Sequence, residues 1–166
     1  MQTVVGGSGP RRRAREIALQ ILVQMDVNPE LDVPRSLRLY FDHLAADTDL
    51  DLDVEDGEDL PRLGRGGAAF DRAFVEDLVS GVTARRDELD GIVQNLSRNW
   101  RIERMALVER NVIRLALFEL KFSTAVPTNV ALNEAVELAK RFGTSEGAAF
   151  VNGLLDRAAT ELQIRR

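Results

Sequence analysis

The sequence has no cysteine, one histidine, one tryptophan and one tyrosine among its 166 residues. Without cysteine there are neither disulfides nor thiolate metal sites, which fits a reducing cytoplasm. His43 is the only imidazole, and no His, Asp and Glu set has metal-ligand spacing, so no metal, no cofactor and no catalytic role are expected. No apolar run reaches the length of a membrane span, so no membrane association is expected. The first ten residues lack the apolar centre of a signal peptide, and Gly6-Gly7-Ser8-Gly9-Pro10 reads as a flexible lead. That leaves a lead over 1–10 and a single domain over 11–166, long enough to bury a core, with an ordinary apolar content of 45%.

The formal net charge of −5 is unevenly spread. Residues 42–59 hold nine acids and no Lys or Arg, so the rest of the chain has 22 basic residues against 18 acidic ones. A low overall isoelectric point therefore does not exclude a nucleic-acid partner, because phosphates respond to local charge. The acidic composition around 43–66 reads as an inserted surface loop. Within it Asp49, Asp51 and Asp53 imitate a calcium loop, but Val54 stands where an EF-hand needs glycine. Gly64, Gly66 and Gly67 lack the strand and the Lys-Ser or Lys-Thr of a nucleotide loop.

Elsewhere the apolar residues recur at helical spacing. A first helix over roughly 11–26 has a core stripe of Ala14, Ala18, Ile21, Leu22 and Met25, with a mixed stripe of Arg12, Glu16, Leu19 and Val23 opposite. Asp32-Val33-Pro34 starts a second helix carrying Leu37, Tyr40, Phe41 and Leu44. Phe70, Phe74, Val75, Leu78, Val79 and Val82 mark a third helix, and Leu89, Ile92, Val93 and Leu96 a segment that either continues it or stands apart. After a break at Asn99-Trp100-Arg101, with Trp100 expected as a core anchor rather than a base-stacking platform, a helix runs from about Leu107 to Phe122. On it Arg110 and Arg114 are expected to pair with Glu109 or Glu119.

A helical hairpin closes the chain. Its first arm starts at Pro127 and Asn129, ends in Lys140 and Arg141, and stops at Gly143, where a left-handed residue is expected. Its second arm starts near Ser145, a candidate N-cap, and carries Val151, Leu154, Leu155, Ala158 and Leu162. Gly153 interrupts that arm and is expected to mark close approach of a neighbouring helix or of a ligand. Glu134 and Glu137, spaced i, i+3, read as a surface pair rather than as catalytic carboxylates. Arg11, Arg12, Arg13 and Arg15 stand out as a phosphate-binding candidate, since each guanidinium can donate charge-assisted hydrogen bonds to phosphate oxygens.

The run from Val126-Pro127 through Asn133-Glu134-Ala135 to Phe142-Gly143, followed by Phe150-Val151-Asn152-Gly153-Leu154-Leu155-Asp156, resembles the C-terminal signature of the NusB family. The arginine-rich opening, Gly81-Val82, Leu89-Asp90, Val108-Glu109-Arg110, Ile113-Arg114-Leu115 and Glu119-Leu120 match the family in order and spacing. The resemblance implies an all-α fold of six or seven helices in two packed three-helix-type bundles. It implies binding of the single-stranded boxA element of ribosomal RNA transcripts together with the ribosomal protein NusE. Other Nus factors and RNA polymerase complete the assembly that resists termination, and some members form homodimers. Carried onto this chain, the RNA-binding residues are Arg11, Arg12, Arg13, Arg15, Glu146 and Phe150. Glu109 falls at a position implicated in recognising RNA or NusE. Val23 stands where an aromatic residue is frequent, and Ala148 and Ala149 where polar or basic residues are frequent. Two rivals are a helical protein adaptor without specific RNA binding, and a stand-alone counterpart of the RNA-binding module of a ribosomal RNA cytosine methyltransferase.

Overall fold

The computed structural model describes residues 9–49, 70–123 and 126–162, with backbone alone for 44–49. Seven α-helices follow in order: α1 (Pro10–Val27), α2 (Val33–Asp49), α3 (Arg72–Ala84), α4 (Arg86–Leu96), α5 (Leu107–Phe122), α6 (Thr128–Phe142) and α7 (Ser145–Glu161). A short 3-10 turn, Ile102–Arg104, leads into α5, and no strand occurs among the described residues. α1, α2 and α3 pack together, as do α5, α6 and α7; α4 lies on α5 and α7, and α5 also meets α1 and α3. The two bundles therefore share α5 as their common axis, which is the all-α architecture expected from the helical periods.

Local chemistry sets most of the ends. Pro10 opens α1, where its missing N–H and fixed φ cost nothing. Asp71 caps α3 by accepting the Phe74 N–H at 3.0 Å. α3 and α4 are separate helices because Arg85 leaves the helical region (φ −113°, ψ 18°), and Asp87 and Glu88 then meet the positive end of α4. α2 continues to Asp49, past the expected start of the acidic loop, since no glycine or proline interrupts it before Gly57. The rest of that stretch, with the calcium-like and glycine-rich segments, lies outside the described residues, as does the side chain of Leu44.

The final hairpin departs from expectation at its corner. Thr144, not Ser145, caps α7, its hydroxyl accepting the Gly147 N–H at 2.9 Å. Gly143 is extended at φ −111° rather than left-handed, so its lack of a side chain serves space and not backbone handedness. Among the described residues Gly153 meets no neighbouring helix: a Cβ there would find no atom within 4 Å. Glycine does permit a close approach at Gly81 on α3, where the ring of Phe118 on α5 occupies the place of a side chain.

Ile17, Leu19 and Ile21 of α1, Leu78 of α3, Leu89 of α4, Ile113 and Leu117 of α5 and Leu155 of α7 are completely enclosed. Each such side chain contributes about 1.5–3 kcal/mol through removal from water. Glu16 and Leu19, from the mixed stripe of α1, are buried as well, because α1 is covered on that side too. Trp100, expected in the core, is 58% exposed; Ile102 and Met105 fill the core where the chain returns to α5.

At the join between the bundles lies a polar cluster. Asp26, near the end of α1, accepts from Arg114 at 3.0 Å, Arg110 at 3.2 Å and the Asn111 amide at 2.9 Å, with Arg86 at 2.8 Å. Arg114 also grips Asp90 of α4 with two bonds of 2.7 and 2.9 Å. Arg110 and Arg114 thus pair with Asp26 and Asp90 and not with Glu109 or Glu119, which face other helices. Burial alone would raise the Asp26 carboxyl, but Asn111 and the guanidiniums of Arg114, Arg86 and Arg110 together hold it below its ordinary value.

Asp26→Ala is expected to lower stability at neutral pH by about 3 kcal/mol in urea unfolding, since it strands buried cations. The wild-type advantage is present above the pH at which the unfolded carboxyl titrates, and it disappears as pH falls through the lower folded-state pKa. An advantage that grows toward acid pH would contradict this assignment. Gly153→Ala, with open space around it, is expected to raise stability by about 0.5–1 kcal/mol, read by thermal unfolding.

Candidate nucleic-acid interface

The arginines that open α1 do not all face solvent. Arg11 is exposed, with its guanidinium 5.1 Å from the centre of the Phe74 ring on α3. Arg12 is one-third exposed and forms a fork on Glu134 of α6, with Nε and Nη2 at 3.0 and 2.9 Å from the carboxylate oxygens. Arg13 reaches Glu16 at 3.3 Å, and Glu16 also accepts from Arg141 near the end of α6. Arg15 is buried, only 6% of its side chain exposed, and holds both oxygens of Glu119 on α5 at 2.9 and 3.1 Å.

This arrangement follows from the helix spacing. Arg12 and Glu16, one turn apart along α1, face Glu134, Leu138 and Arg141 along α6. Arg15 points to the other side, toward α5. The hydrogen bond from Arg12 to Glu134, opposed by burial and reinforced by the charges of Glu134, Glu137 and Glu16, holds the Arg12 guanidinium still more firmly protonated. Burial pushes the Glu119 carboxyl up, against the pull of Arg15. Arg15 therefore acts as a clamp between α1 and α5, a role its sequence position among exposed-looking arginines did not disclose. Arg11, and the outer edge of Arg12, carry the charge that a phosphate can reach.

At the start of α7 the geometry is different. Glu109 is buried beneath the corner of the hairpin, and its Oε1 accepts the Thr144 N–H at 3.3 Å. A Cβ on Gly143 would lie 2.6 Å from that oxygen, and one on Gly147 would overlap it. The two glycines, one turn apart, clear a seat for a carboxylate at the positive end of α7. Glu109 is thus an internal support for α7, while Glu146 in the first turn is exposed. Ala148 is buried and Ala149 exposed, so only the second position has room for a polar side chain facing solvent.

Phe150, half-buried, meets the exposed indole of Trp100 at 6.4 Å between ring centres, with the planes inclined at 62°. The two rings border a groove of about 600 Å³ between the end of α4 and α7, with Asn95, Arg98, Asn99, Gly153 and Arg157 among its walls. Trp100 was not among the expected interface residues. Sequence spacing gave no signal for this exposure: Leu96, four residues before it, is apolar, and what leaves the indole open is that Trp100 falls in the turn after α4.

Val23 lies in neither place. It is partly buried in a larger groove of about 830 Å³ between α1 and α2, closed at one end by Val108 and Phe142. His43 borders the same groove. The expected interface residues are therefore distributed over the arginine end of α1, the Trp100 and Phe150 groove, and the groove of Val23, with Glu109 beneath the surface. Among the described residues no group of three or more His, Asp or Glu side chains is placed to hold a metal ion, and no helix is long and apolar enough to cross a membrane.

Comparison with known proteins places the sequence and the fold. The chain is 39% identical over 154 residues to the transcription antitermination protein NusB of Geobacter sulfurreducens, covering 93% of this chain and 96% of that protein. Its fold is similar to that of NusB from T. maritima, with a TM-score of 0.69, 29% identity, and coverage of 97% of this chain and 94% of that one. It is also similar in fold to a chain in a structure of antitermination factors NusB and NusE in complex with double-stranded RNA, with a TM-score of 0.66, 21% identity and coverage of 90% and 96%. The sequence model of the NusB family matches residues 12–160, nearly the whole described chain, and the protein belongs to the NusB family.

Proposed function

We propose that the chain is a transcription antitermination factor that binds single-stranded, boxA-type RNA of ribosomal RNA transcripts together with NusE, and that it works by binding and not by catalysis. The observation that carries this reading is the free cationic edge at the start of α1, where Arg11 and the outer face of Arg12 stand on a helix already clamped to α5 and α6. Because Arg15 and Glu119 hold the helix, the two outer guanidiniums are presented in a fixed direction, which lowers the entropy lost on binding phosphate. Phosphate contacts position the strand without reading it; sequence preference then depends on base edges and stacking elsewhere on the surface. The relatives' description as antitermination proteins and the solved NusB and NusE complex with RNA support the choice of partners. The same reading places the protein in the cytoplasm, beside RNA polymerase and other Nus factors.

A second reading, a protein adaptor without specific RNA binding, draws support from the pairing of Arg12, Arg13 and Arg15 with Glu134, Glu16 and Glu119. Any phosphate at Arg12 must compete with the Glu134 carboxylate.

Fluorescence anisotropy with a short boxA-type RNA and a scrambled control, with and without NusE and at two salt concentrations, separates the readings. Preference for boxA that strengthens with NusE and weakens with salt is expected. Arg11→Ala should weaken binding and reduce the salt slope by about one with little change in melting, whereas Arg12→Ala should weaken binding similarly and also lower the melting temperature, because it leaves the part-buried Glu134 carboxylate without its cation. Arg15→Ala should instead cost about 3 kcal/mol of stability, because Glu119 is left buried without its cation. Equal binding of boxA and scrambled RNA under every condition would favour the adaptor.

A further inference from the structure

The groove beside Trp100 has features that internal packing does not account for. Trp100 is the largest of the exposed hydrophobic side chains and is 58% accessible. Its backbone is nevertheless fixed: its N–H donates to the Ser97 carbonyl at 3.2 Å, and its own carbonyl accepts from the Ser97 hydroxyl at 3.3 Å and the Gln94 amide at 3.5 Å. Gln94 also accepts the Ile102 N–H at 3.4 Å, tying both sides of the turn to α4. The result is an indole left open on a firmly held loop.

Across the groove, α7 carries a notch. Gly153 weakens a helix interior, and among the described residues no neighbouring atom lies within 4 Å of where its Cβ would stand. Phe150, one turn before it, presents its ring toward Trp100. Around the rim stand Arg98, Asn95 and Asn99, and Arg157, whose Nη1 is steadied by the Leu96 carbonyl at 2.9 Å. Among the described lining residues Glu161 is the one carboxylate, against the guanidiniums of Arg98 and Arg157, so this lining is net cationic. An aromatic face, an adjoining slot without a side chain, two amides and two guanidiniums together match an unpaired base with its phosphate. The face stacks, the amides address base edges, and the guanidiniums meet the phosphate. An aliphatic ligand would leave the polar rim unused.

We propose that the groove between Trp100 and the Gly153 notch is a nucleobase site, in which one unpaired base stacks on the indole and its phosphate is held by Arg98 and Arg157. The proposal rests on the RNA-binding reading and adds to it a stacking contact at a residue outside the arginine end of α1. It also gives Gly153 a purpose, since a side chain there would enter the slot.

Trp100 is the sole tryptophan, so its emission reports on the groove directly. The full chain is titrated with a single-stranded boxA-type oligonucleotide, following indole emission and, separately, the anisotropy of a labelled oligonucleotide. Quenching that tracks the anisotropy is expected. Trp100→Ala should weaken binding about five- to hundredfold, as loss of one stacked base does, and Trp100→Phe should restore most of it. Gly153→Leu should weaken binding comparably while leaving the melting temperature no lower than that of the wild type, because it blocks the slot without touching an aromatic or a charge. RNA binding with unchanged emission, and with wild-type affinity in Trp100→Ala and Gly153→Leu, would overturn the nucleobase site and leave the RNA-binding reading intact. Absence of RNA binding by the wild type, with or without NusE, would overturn both.

Discussion

A carboxylate withdrawn from water must be given cations, and Asp26 is the point where that requirement joins the molecule. It sits near the end of α1, and its partners come from α4 and α5. Arg114 carries the link onward to Asp90. Apolar packing would let helices slide past one another by a turn at modest cost, whereas a buried ion cluster tolerates one register. Such clusters are weak contributors to net stability, because desolvation offsets much of the attraction, yet breaking one is expensive. Their effect here is to set how the first bundle meets α5.

The same physics recurs toward the start of α1. Arg15 with Glu119 and Arg12 with Glu134 fix the helix to α5 and α6, so α1 is anchored toward both ends. This changes how the arginine-rich opening is understood. Much of its charge is spent internally, and the part that reaches solvent does so from a rigid base. Arg12 is thereby part of the anchor and part of the solvent-facing edge at once. The hairpin corner shows a parallel economy: Glu109 supports α7 from below, and Gly143 and Gly147 exist to admit it.

The separation of the arginine end from the Trp100 groove bears on recognition. Phosphate contacts carry little sequence information, and stacking alone is tolerant of base identity. An interface that spans both regions reads an extended, unpaired strand better than a compact or paired one. The two regions differ in chemistry, the first a charged helix end and the second an aromatic groove with a polar rim.

Helix content, order and approximate bounds were legible in the chain itself, because amphipathic periods of Ala, Val, Leu and Ile and punctuation by Pro and Gly are local properties. The resemblance to the NusB family was likewise carried by local motifs, such as the run from Asn133 to Gly143. Partnerships between distant residues were not. Arg110 and Arg114 looked like members of an intrahelical salt-bridge set, Arg15 looked like its exposed neighbours, and Trp100 looked like a core anchor. In each case the deciding fact was which helix lay opposite, since a charge chooses the partner that shares its burial and not the one nearest in sequence. Sequence alone determined that this chain forms amphipathic helices with a basic start to the first and belongs among NusB-like proteins. Only the tertiary structure decided which arginines remain free, because burial and pairing depend on surfaces brought together from across the chain.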